Sequence, residues 1–157
     1  MAVTRKTETT NEIEPIEVKV KLLRDGAQMP VKKDGDAAFD FFAAEDVCIY
    51  PRCAGVPVPT GVAIEMPKGY YMELFMRSSY GAKKQLRLSN CVGVIDNSYR
   101  GEIKGLFDNH SVETEFIRKG ERFMQGIIKK EIPAKLVLAD ELSETDRGDG
   151  GFGSTGK

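Results

Sequence analysis

Within GVIDNSYRGEI at 93–103, two strand-like runs flank Asp96, Asn97 and Ser98 in the manner of a tight hairpin. An Asp in such a turn commonly caps nearby backbone donors. The chemical alternative makes Asp96 a general base toward a water, with Tyr99 three residues on offering a flat face to a sugar or a base. RSSYG at 77–81 follows another strand-like run and opens a helical stretch, so Ser78, Ser79 and their amides either cap a helix or meet an anion. Arg77 supplies an always-charged fork, suited equally to phosphate and to a carboxylate partner.

Asp40 lies among apolar residues in DAAFDFFAAED at 36–46. An isolated carboxylate there is costly to bury unless paired, hydrated or near a cation, and an Asp facing a turn is the plainer reading. In RFMQGII, Arg122 and Gln125 stand three apart and face opposite sides of an ideal strand, so both line one site only across a bulge. Gln125 is the candidate taken from that pair.

The segment RGDGGFGSTGK at 147–157 holds five glycines and cannot keep one conformation without something to wrap around. Its GFGSTGK spells most of a phosphate-binding GxxxxGK loop, but no Ser or Thr follows Lys157 and no helix opens there, so that reading fails. What survives is more general. Bared backbone N–H groups with Ser154, Thr155 and Arg147 can wrap a polyphosphate, and the aromatic ring of Phe152 amid glycines suits a flat ligand. A mobile glycine tail without a ligand is the alternative.

These groups need a scaffold, and period-two alternation supplies one. EVKVKLL puts Val18, Val20 and Leu22 on one face of a strand. Further strands are expected at 46–50, 54–58, 61–66, 70–75, 92–95, 102–107, 121–128 and 135–139, separated by Gly, Pro, Asn or Asp. Such spacing predicts an all-β antiparallel sandwich or barrel, with one short helix near 79–85 that a Ser can cap. No βαβ alternation and no internal repeat is present. Residues 1–15 lack periodicity and read as a flexible tail, 16–142 as one β domain, and 143–157 as a mobile arm.

Composition removes several function classes. With 157 residues the chain has room for one core. Lys and Arg number 23 against 24 Asp and Glu, so no global basic field draws a nucleic-acid backbone and any phosphate binding is local. No apolar run is long enough to span a bilayer, and charged residues occupy the start where an export signal needs its apolar stretch, so a cytoplasmic protein is expected. Three cysteines without CxxC spacing read as free thiols, and a single histidine, His110, gives no multi-histidine metal site. A hard, oxygen-liganded metal remains open.

In order and character these stretches resemble the five signature motifs of the dUTPase family: DAAFDFFAAED, MRSSYGAKK, NCVGVIDNSYRGEI, GERFMQGII and RGDGGFGSTG, spanning about residues 35–156. The second motif departs from the more usual PRSG followed by Leu in having Met76, Ser79 and Tyr80. The resemblance implies a jelly-roll-like β-barrel and an enzyme that hydrolyses dUTP to dUMP and pyrophosphate, which lowers dUTP and supplies dUMP for thymidylate synthesis. It implies that Asp96 activates a water against the α-phosphorus. Asp40 would hold waters of a Mg2+ ion gripped by the phosphates.

By the same resemblance, Arg77, Ser78 and Ser79 meet the phosphates, Gln125 meets the α-phosphate, and Asn90 with backbone groups of 92–96, Val94 among them, reads uracil. Tyr99 would pack under the sugar and exclude a 2′-hydroxyl. The family also implies a homotrimer whose arms close over neighbouring subunits' sites, placing Phe152 and Gly153 at the uracil and Arg147, Ser154 and Thr155 around the γ-phosphate. Two other readings stand beside it. One is a dCTP deaminase of the same fold; the other is a regulatory role through a protein partner, as in phage members of the family.

Overall fold

Short alternating runs broken by Gly and Pro form strands wherever one face can be buried, and most of this chain does so. In the computed structural model, which describes residues 14–151, the elements run β1 (Lys19–Leu22), β2 (Phe39–Phe42), β3 (Val47–Ile49), β4 (Val56–Pro59), β5 (Val62–Glu65) and β6 (Tyr70–Met76). After the one helix, α1 (Ser78–Lys83), come β7 (Leu86–Leu88), β8 (Gly93–Ile95), β9 (Lys104–Asn109), β10 (Glu115–Ile117) and β11 (Arg122–Lys130). Every named pairing is antiparallel. The largest sheet has the order β2-β11-β6-β8, a second has β4-β9-β7, and β1-β5 and β3-β10 form two-stranded pieces.

The two larger sheets face each other across the core. Phe107 of β9 meets Phe123 of β11 with ring centroids 5.8 Å apart, and Phe41, Phe107, Phe123, Ile49 and Leu86 are fully buried. Gly105 lets the layers close: a Cβ there would stand 3.0 Å from Phe123 and 3.3 Å from the Met124 sulfur. Asn109, the largest buried polar side chain, is satisfied by donating to the carbonyls of Ile49 and Glu113 and accepting from the Ser111 amide.

Four expectations are corrected. The segment 135–139 is not a strand: Leu136 and Leu138 are 97% and 96% exposed, and no strand of the described residues pairs with it. No hairpin joins 93–95 to 102–107; β8 pairs with β6 and β9 pairs with β4 and β7, so the turn at 96–99 crosses between sheets. The helix begins one residue earlier than expected and ends two earlier, with Arg77 at its N-cap and no side-chain cap. Strands β2, β7 and β10 were not anticipated, since three or four residues such as FDFF carry almost no alternation. The three cysteines are unpaired, and among the described residues no helix is long and apolar enough to cross a membrane. The expected tail lies mostly outside the described residues.

Candidate functional site

The outward face of the largest sheet carries the chemistry, in rows set by strand register. Gln125 stands opposite both Asp40 on β2 and Phe75 on β6; Ile127, Glu73 and Val94 form the next row. Lys129 pairs with Tyr71, and Asp96 sits one residue beyond the last paired position of β8, beside Tyr71. Residues directly opposite in an antiparallel pair share a face, so all of these point away from the core.

At one corner of that face Asp36, Asp40, Arg77, Ser78, Gln125 and Ile127 line a cleft of about 380 Å3. The ladder slips between Arg122 and Met124, and this bulge lets Arg122 turn toward the same corner as Gln125. Arg122 donates from Nη1 to Asp40 Oδ2 at 3.1 Å, Arg77 Nε lies 3.3 Å from Asp40 Oδ1, and Arg77 also donates to the Arg122 carbonyl at 3.2 Å. Asp40 therefore holds two guanidiniums beside the Ser78 hydroxyl and the Gln125 amide, an arrangement of fixed donors for a polyphosphate. Ser79 faces an adjoining hollow with Tyr80, Lys83, Lys84 and Arg122.

No group of three His, Cys, Asp or Glu able to cage a metal occurs among the described residues. The cleft's acidic side chains, Asp36 and Asp40, fit instead a hard cation that arrives on a ligand's phosphates, keeps its waters and touches protein through them.

The second corner is built by the turn after β8. The Asn90–Val92 bend places Cys91 at φ 60, and Gly93 is buried, a Cβ there standing 3.2 Å from Leu74 and 3.6 Å from the Asn90 amide nitrogen. Val94, Asp96 and Tyr99 are exposed, and the Tyr99 amide donates to the Asp96 carbonyl at 3.1 Å. Beside them Tyr71 donates to Glu73, whose carboxyl is held below its ordinary value first by the hydrogen bond from Lys129, at 2.7 Å.

The structure does not bring the two corners together within one chain. From Tyr71 to Arg77 along β6 is six residues, about 20 Å at roughly 3.3 Å per residue, far beyond the ~3 Å that attack on a bound group requires. Arg147 is turned on itself, Nε donating to the Gly150 carbonyl at 2.9 Å. Phe152, Gly153, Ser154 and Thr155 lie outside the described residues. Arg122 and Asp36 were passed over in the sequence, Arg122 because strand geometry without a bulge turns it away and Asp36 because nothing marks it apart from other loop acids.

The family model for dUTPase matches residues 25–156. The chain is 43% identical over 138 residues to the deoxyuridine 5'-triphosphate nucleotidohydrolase of Hydrogenobaculum sp., covering 87% of this chain and 96% of that one. It is 35% identical over 142 residues to the enzyme of the same name from Helicobacter pylori, covering 90% and 97%. Among solved structures, the dUTPase of Staphylococcus bacteriophage 80alpha with dUPNHPP superposes with a TM-score of 0.79 at 29% identity, over 90% of this chain and 99% of that one. Its description speaks of phage dUTPases that control transfer of virulence genes by a proto-oncogenic G protein-like mechanism.

Proposed function

The chain belongs to the dUTPase family, and we infer that it hydrolyses dUTP to dUMP and pyrophosphate. The observation that carries this reading is the family match over nearly the whole β domain, together with a cleft in which two guanidiniums, a serine hydroxyl and a glutamine amide converge.

In the proposed reaction Asp96 takes a proton from a water, whose oxygen bonds to the α-phosphorus as the bond to the β-phosphate bridging oxygen breaks and pyrophosphate leaves. Arg77 and Ser78 hold the phosphates between α and β with Ser79 beside them, and Gln125 holds the α-phosphate, so charge that grows on the leaving group meets donors already in position. Bound Mg2+ would neutralise that charge; Asp40, with Asp36 across the cleft, would orient its waters. Asn90 and the backbone near Val94 read uracil, rejecting cytosine because mismatched donors and acceptors would be left unpaired. Tyr99 packs under the sugar, where a 2′-hydroxyl has no room.

Because Asp96 and the Arg77 end of the phosphate cleft lie about 20 Å apart on one chain, the reading requires that Asp96 of one subunit serve the cleft of another. A homotrimer with shared sites does this. The arm from 143 onward, with Arg147, Phe152, Gly153, Ser154 and Thr155, would close over a neighbour's site, which gives a segment without an intrachain core something to hold.

The experiment is pyrophosphate release from dUTP, dCTP, dTTP and UTP, each with magnesium and with a chelator. Rapid, magnesium-dependent release from dUTP alone supports the reading, and ammonia release from dCTP would replace it with a deaminase. A regulatory protein partner is a second reading, favoured by the likeness to the phage enzyme. A pull-down with the Asp96→Asn variant that yields no stoichiometric partner would end it.

A further inference from the structure

Tyr99 owes its place to a neighbour that the reaction does not use. Its ring folds back over Gly101, where a Cβ would fall 2.5 Å from the ring's Cζ, so only glycine leaves the space. The Tyr99 hydroxyl donates to the main-chain carbonyl of Glu102 at 3.0 Å. The Glu102 carboxylate is the meeting point of two distant segments and a near neighbour in sequence. It accepts from the Gly61 amide at 2.8 Å, in the turn between β4 and β5, where φ is +67. It is also bound by the Arg24 guanidinium, just after β1, and by Lys104 Nζ at 3.3 Å on β9.

The Glu102 side chain is only 12% exposed. Burial opposes its ionisation, but the hydrogen bonds from Gly61, Arg24 and Lys104 prevail and hold the carboxyl below its ordinary range. The next residue is fastened too, the Ile103 amide donating to Val62 and its carbonyl accepting from the Thr60 hydroxyl at 2.7 Å.

We propose that Glu102 is a positioning residue that fixes the Tyr99 ring and thereby sets the preference for 2′-deoxyribose over ribose. The proposal rests on the reading above, in which Tyr99 lies under the sugar. The physical reason is that a wall rejects one extra hydroxyl only if it cannot yield. A tyrosine on an exposed turn yields readily unless its hydroxyl and the backbone beneath it are both tied; here the Glu102 carbonyl holds the hydroxyl, and the Glu102 carboxylate ties that backbone to Arg24, Gly61 and Lys104. Loosening it admits ribose more than it harms deoxyribose.

The test is a double-mutant cycle of Glu102→Gln and Tyr99→Phe, read as the ratio of kcat/KM for dUTP to kcat/KM for UTP. Glu102→Gln keeps the shape but loses the charge-assisted bonds, and the ratio is expected to fall about tenfold, mainly through a lower KM for UTP. Tyr99→Phe removes the tether and should lower the ratio similarly, and adding Glu102→Gln to it should change the ratio no further. Arg24→Ala, which removes one partner and leaves Glu102 in place, should lower the ratio in the same direction and carries the test if Glu102→Gln does not fold. An unchanged ratio in the folded variants, or an equal fall in the Tyr99→Phe background, overturns the proposal while leaving dUTP hydrolysis intact. A wild-type chain that does not hydrolyse dUTP overturns the underlying reading as well.

Discussion

Subunit complementation tests the separation of the two corners directly. Asp96→Asn removes the base, and Arg77→Ala removes one of the two guanidiniums that Asp40 holds. Loss of a general base lowers a rate by about 10²–10⁴-fold, so Asp96→Asn alone should retain roughly 1% of turnover or less. The Arg77→Ala enzyme is expected to be similarly weak, since a charge-assisted contact to phosphate is lost from every site. In one chain the lesions lie about 20 Å apart along β6, so in the proposed trimer each site takes its Asp96 and its cleft from different subunits. When the two variants are co-expressed in equal amounts and assemble at random, half the sites receive an intact Asp96 and half of those an intact cleft. About a quarter of the wild-type turnover should therefore return, some 25-fold above either parent, whatever the third subunit contributes. The assay is pyrophosphate release from dUTP by the unfractionated co-expressed mixture, purified on one tag common to both variants. A mixture no more active than the mean of its parents would falsify the shared site and put Asp96 and the cleft of one chain in a single pocket.

Asp96→Asn by itself should leave the melting temperature and nucleotide affinity near wild type while turnover collapses, as calorimetry and single-turnover rates will show; a loss of binding equal to the loss of rate would make Asp96 a structural residue. Truncation after Arg147 should cut turnover and spare assembly, and full-rate hydrolysis by the truncated chain would remove the arm from the mechanism. Phe107→Ala empties the contact between the sheets and should lower stability by about 3–5 kcal/mol in urea titration; a change under 1 kcal/mol would mean the layers close over the gap. Asp46, Glu65, Glu73, Glu102 and Asp108 all have folded carboxyl values below their ordinary 3.8 or 4.5. Their contribution to stability is therefore complete above those values and lost as pH falls through the lower folded ones, so melting temperature should hold near neutrality and drop below about pH 4. A melting temperature that rises on acidification would contradict the pairing.

The sequence by itself determined the class of fold and supplied the candidates for chemistry. Alternation in EVKVKLL is a local property, imposed by the period of a strand, and it placed β1 without reference to anything distant. Asp96, Ser78 and Gln125 were legible for a similar reason: each lies in a short run whose residue types suit one kind of contact. What the local pattern could not decide was partnership. That β8 pairs with β6 rather than with β9 depends on which edge is free after the sheets pack, and the pairing moves the Asp96 turn to the far end of β6. Arg122 reaches Asp40 at the edge of the cleft only through a bulge whose existence depends on β2 lying alongside β11. The exposed run around Leu136 reads as a strand but pairs with no strand of the described residues, and hydrogen bonding in a sheet is completed only by a neighbour. Glu102 looked like one more surface acid until Arg24 and Gly61, from two distant segments, were brought by the tertiary fold to the carboxylate that Lys104, two residues on, also meets.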